Sequence, residues 1–126
     1  MTLETALENI KFFKNKFMRE EVECIRENKA EAIPVLLEYA RYAGERAEEL
    51  ERNFEGHMYA MFLLAEFGVR DAFEPIIKYL ELPGDAAYSI LGDILHEDIY
   101  RVLGTIAVFD DIDRLKRIIE ALRYKN

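Results

Sequence analysis

A seven-residue pattern, Ile33 to Tyr39 (Ile-Pro-Val-Leu-Leu-Glu-Tyr), returns twice further along the chain. It recurs as Phe73 to Tyr79 (Phe-Glu-Pro-Ile-Ile-Lys-Tyr) and then as Leu115 to Ala121 (Leu-Lys-Arg-Ile-Ile-Glu-Ala), at spacings of 40 and 42 residues. A helical unit with a period near 40 residues cannot bury its apolar face alone and does so against the next copy. The expectation is therefore an all-α superhelix, a short solenoid of about three helix pairs. Scaffolds of this kind work through surfaces rather than through a compact motif, so the repeat constrains fold far more tightly than function.

The rest of the composition narrows the class. With 126 residues the chain fits one domain, long enough for its own core. Half the residues are hydrophobic (51%), which argues against disorder. A formal charge of −8 repels phosphate backbones, so the expected partner is a protein or peptide and not nucleic acid. The single cysteine, Cys24, excludes an internal disulfide and suits a reducing compartment. Lys11, Lys14 and Lys16 interrupt any secretory apolar run, and the longest apolar stretch, Met58 to Ala65, is far too short to span a membrane. A soluble, cytoplasmic protein without membrane association is expected.

Apolar spacing places the elements. Leu3, Leu7, Ile10 and Phe17, with Phe13 nearby, predict a first helix that caps the stack over residues 1–18. Repeats are expected over 19–54, 55–82 and 83–126. In the first, a helix over Glu20 to Glu27 precedes a long one over Lys29 to Asn53. Asn28 and Glu31 have capping-box spacing there, and Leu36, Ala40, Ala43, Ala47, Leu50 and Phe54 form a heptad seam that Gly44 could hinge. The second pairs His57 to Phe67, ended by Gly68, with Ala72 to Leu82, capped by Asp71 and Glu74. The third pairs Glu97 to Val108 with Ile112 to Tyr124, with Asp110 or Asp111 at the turn. Pro83 to His96 is an insert with a short helix over Ala86 to Leu91.

From His57 onward the pattern becomes more specific. His57-Met58-Tyr59-Ala60, Leu64-Ala65-Glu66-Phe67, Leu91-Gly92-Asp93, Glu97-Asp98 and Arg101 occur in this order. Together with the acidic helix before them they resemble an uncharacterised bacterial domain-of-unknown-function family with a HEAT-like fold. Where that family tends to have Thr before the Glu-Asp pair, this chain has His96. The resemblance implies a HEAT-like α-α superhelix and a candidate site at His57, Tyr59, Glu66, Asp93, Glu97, Asp98 and Arg101, to which this chain's own His96 is added. It implies no activity and no cofactor.

These residues allow two accounts. In the first they are structural: Glu97 and Asp98 favour a helix N-terminus, while Glu97–Arg101 and Glu66–Arg70 are ion pairs one turn apart. In the second, His57 and His96 begin successive repeats 39 residues apart, so stacking could bring them to one ridge. With Asp93 and Glu97 they would make a metal site suited to zinc, iron or manganese. The HEAT-like enzyme deoxyhypusine hydroxylase holds two irons with repeated His-Glu pairs. Only His96-Glu97 has that form here, since Met58 follows His57, so the ligand set is incomplete. No nucleophile elbow, phosphate loop or dinucleotide fingerprint occurs. The balance leans away from an enzyme and toward a scaffold, with Tyr39, Tyr42, Tyr59 and Tyr88 as aromatic contacts. Basic ends flanking an acidic middle also raise the prospect of a homo-oligomer, and a purely structural subunit is the third reading.

Overall fold

The computed structural model describes residues 1–51, 53–83, 85–92 and 98–123, with residues 122 and 123 in backbone only. Eight α-helices follow one another among them: α1 (Leu3–Asn9), α2 (Arg19–Glu27), α3 (Lys29–Glu45), α4 (Gly56–Glu66), α5 (Phe73–Leu80), α6 (Ala86–Leu91), α7 (Asp98–Ile106) and α8 (Ile112–Arg123). No strand forms among the described residues, so the protein is all-α; the one bridge pairs Phe12 with Phe54. None of the described helices is long and apolar enough to cross a membrane.

The helices pack by their apolar stripes. α1 lies on α2, both touch α3, and α3 packs on α4 and α5, which in turn meet α7. Ile25, Leu36, Leu64, Phe73, Ile77 and Leu103 are fully buried in the resulting core. Each such side chain contributes about 1.5–3 kcal/mol relative to an exposed position. Several long-range contacts join residues about 40 positions apart. Arg26 reaches Glu66, Arg70 reaches Asp111 and Arg114 reaches Glu74. The buried Tyr79 hydroxyl donates to the Ala40 carbonyl, 39 residues away.

The structure corrects several local expectations. The first helix ends at Asn9 rather than running through Phe17, and Phe13 and Phe17 are exposed. Backbone pairing overrides the apolar spacing there: Phe13 N–H donates to Asn53 O, and Glu55 and Gly56 N–H both donate to Lys11 O. Asn15, at φ +60°, turns the chain toward α2. The long helix α3 likewise stops at Glu45, eight residues short of Asn53. Gly44 is no hinge. It lets the Tyr79 ring approach, since a Cβ there would stand 3.3 Å from that ring.

The caps differ as well. Asn28 makes no cap bond to α3; its Nδ2 donates to the Cys24 carbonyl instead. Asp71 sits in a 3-10 turn (Arg70–Ala72) before α5, where no side chain caps the helix, and Glu74 turns to Arg114. Gly68 does end α4. Its φ of +68° allows Gly68 N–H to reach Ala65 O and Val69 N–H to reach Leu64 O, the paired bonds of a Schellman motif. At the last turn Asp111 accepts from Val108 N–H at 2.8 Å.

Candidate functional site

α4 is apolar around its whole circumference, the mark of a central helix. It therefore divides the expected site residues between opposite surroundings. His57, in its first turn, points inward and is only 1% exposed. Its ring stacks on Phe54 (centroids 5.7 Å, planes 8° apart) and meets the Tyr79 ring edge-on at 5.9 Å. Nε2 lies 2.5 Å from the Ile90 carbonyl oxygen. A carbonyl only accepts, so the hydrogen resides on Nε2 and Nδ1 keeps a bare lone pair. Nδ1 is buried and meets no hydrogen-bond partner among the described residues. Desolvation holds the imidazole pKa below its ordinary value, and the bond to Ile90 offsets part of that shift. Outside this ring, α4, α6 and the turn after α3 enclose a cavity of about 920 Å³ that exposed Tyr88 also lines.

Tyr59 and Glu66 face the other way. Residues 55, 59, 62 and 66 recur every three or four positions and so form one stripe along α4. This stripe and α2 enclose a groove of about 320 Å³ lined by Phe17, Val22, Met58, Tyr59, Phe62 and Leu63, with Arg26, Glu55 and Glu66 at its rim. Phe17 is 64% exposed and Phe62 42% exposed. The Tyr59 ring lies 6.0 Å from that of Phe17, and its hydroxyl accepts from Met18 N–H at 3.1 Å, which ties the loop to α4. Arg26 donates through Nε and Nη2 to both oxygens of Glu66 at 2.8 Å, and through Nη1 to Glu23 at 2.6 Å. Those bonds raise the guanidinium pKa and lower that of Glu66. The expected Glu66–Arg70 pair is thus replaced: Glu66 takes Arg26, and Arg70 takes Asp111 at 3.0 Å. Burial beside the groove raises the Glu55 carboxyl.

Tyr39 and Tyr42 are half-buried around Phe54 in a separate opening of about 530 Å³. The Tyr39 hydroxyl donates to Leu7 O at 2.9 Å, and desolvation first, then Glu8 and Glu38, push its pKa up to about 12. Asp98 begins α7 and Arg101 is exposed on it. Asp93, His96 and Glu97 lie outside the described residues. Among the described residues no three His, Cys, Asp or Glu side chains gather into a group able to hold a metal ion. Sequence reading missed Phe17 and Phe62 as surface residues. Phe17 fitted a core stripe, and Phe62 lay inside a continuous apolar run whose period does not tell one face from another.

Fold and site together define an all-α protein with an apolar groove on one side of its central helix and a buried imidazole on the other. The chain belongs to DUF1186, a family of proteins of unknown function whose profile matches residues 1–125. It is similar to an uncharacterised protein of Chlamydia muridarum, with 30% identity over 125 residues covering 98% of this chain and 49% of that protein. An uncharacterised protein of Chlamydia trachomatis serovar D is 31% identical over 124 residues, covering 95% of this chain and 49% of its own length. The chain spans about half the length of these curated relatives. No solved structure gives a significant match.

Proposed function

We propose that this chain is a non-catalytic, cytoplasmic HEAT-like α-solenoid that binds a protein or peptide in the α2–α4 groove. The 39- to 41-residue separation of the Arg26–Glu66, Arg70–Asp111, Arg114–Glu74 and Tyr79–Ala40 contacts supports the solenoid part. Register of this kind is expected when equivalent positions of stacked repeats touch. One observation carries the binding part: exposed Phe17 and Phe62 and half-buried Tyr59 line one groove over an apolar floor. Exposed aromatics gathered over a hydrophobic trough are the usual energetic centre of an interface, and a polar rim excludes water around them. Arg26 and Glu66 form such a rim. Phage-displayed peptide selection on the wild-type protein, counter-selected on Phe62→Glu, tests this. Enriched peptides should shift the amide signals of Phe17, Tyr59 and Phe62 and lose binding to the variant. Peptides that bind Phe62→Glu equally well would contradict it.

A second reading, a metal-binding protein using His57, Asp93, His96 and Glu97, is favoured by the His57 tautomer. Metal-ligating imidazoles commonly give their other N–H to a backbone carbonyl, which leaves the free lone pair for the metal. His57 has that arrangement with Ile90. Native mass spectrometry of protein purified without chelators would reveal added metal mass, lost in His57→Ala and His96→Ala. A clean apo mass would dismiss this reading.

A further inference from the structure

We infer that the exposed edge of the apolar face of α8 is a self-association surface that takes a second copy of this chain across a two-fold axis. On its inner side α8 is pinned to α5 by Arg114, which reaches Glu74 and Glu81 at 2.5 and 2.7 Å. Leu115 and Ile118 are half-buried against the core there. Two turns apart along the edge of the same apolar face, Ile112 and Ile119 are exposed, and Val108 and Phe109 extend the strip past the start of the helix. Phe109 is 85% exposed. Four large apolar side chains thus form a strip that no described element covers, and the strip lies on a different element from the groove above.

Charge selects the occupant. Residues 1–107 hold 21 acidic and 12 basic side chains, whereas residues 108–126 hold four acidic and five basic. The whole negative excess therefore lies away from α8, and two copies repel each other least when their α8 faces meet. A partner of strong charge gains nothing from a nearly neutral strip. A second copy gains the apolar contact, and Lys116 and Glu120, the charged positions nearest the strip on the helix, offer opposite charges to each other across the axis. Such an isologous contact closes at two and does not propagate. One helix of 12 residues covers only about 18 Å, so the contact falls below a standard interface and should dissociate in the micromolar range.

Sedimentation velocity over about 1 to 200 μM tests the inference. Mass should rise from 14.8 kDa toward twice that value and stop there. The double variant Phe109→Asp/Ile119→Lys, altered only at exposed positions, should keep its helical circular dichroism and weaken dimerisation at least tenfold. Phe17→Glu/Phe62→Glu, on the groove, should leave the dimer unchanged. A monomer throughout the range, growth beyond two copies, or a dimer broken by the groove variant and not by the α8 variant would each overturn it. Retained dimers with failed peptide selection would leave this inference standing and remove only the groove reading.

Discussion

α7 and α8 are written alike and end up differently. Both are strongly two-faced: Ile99, Val102, Leu103 and Ile106 line one side of the first, and Ile112, Leu115, Ile118 and Ile119 one side of the second. All four side chains of α7 are buried, because α4 and α5 close over them. Of the four in α8, two are half-buried and two exposed. Amphipathic spacing thus states that a helix wants a partner, and only the surrounding chain decides whether it has one. The uncovered face costs solvation free energy, which a second copy would recover.

The largest expected contrast comes from truncating each face. Leu103→Ala, at a fully buried position, should cost about 2–5 kcal/mol in urea unfolding with little change in slope. Ile119→Ala should cost below about 0.5 kcal/mol at concentrations where the protein is monomeric, as for surface changes generally. Equal costs would mean that α8 is core after all. Next in size, Tyr79→Phe should lose about 0.5–1.5 kcal/mol by removing the buried bond to Ala40 while the ring still fills its place.

Acid should act on the buried side of the comparison. The folded His57 pKa is depressed by desolvation, so the ring is neutral in both states at pH 7. As pH falls through about 6.5, the unfolded ring takes a proton that the folded ring resists. Stability contributed by neutral His57 is therefore present above that pH and lost until the folded pKa is passed, by at most about 1.4 kcal/mol per pH unit. Urea midpoints at pH 7.5 and 5.5 should show a fall that His57→Gln flattens. An undiminished fall in the variant would assign it elsewhere. Smallest of all, Arg26→Ala should lower the urea midpoint only slightly, because its pairs are exposed, and the loss should shrink in high salt.

The sequence was most legible where local signals decide. Gly92 after a short apolar run marks α6, which spans Ala86–Leu91 as read, and Gly68 ends α4 within a residue of its expected limit. Local spacing failed where distant backbone intervened. Residues 11–13 pair with 53–56, which stops α1 early and spends Phe13 and Phe17 on the surface. Charged partners were misread for the same reason. Glu66 and Arg70 are four residues apart, but each finds its counterpart about 40 positions away. His57 was legible as unusual, though its burial between Phe54 and Tyr79 depends on three elements that no local pattern joins.

Amide hydrogen exchange measured as a function of protein concentration tests the contrast between α7 and α8 most directly. The amides of α7 should open only with global unfolding at every concentration, whereas those of α8 should exchange faster when dilute and gain protection as copies pair. Protection of α8 equal to that of α7 in dilute solution, or unchanged across the range, would contradict an open face that takes a second copy.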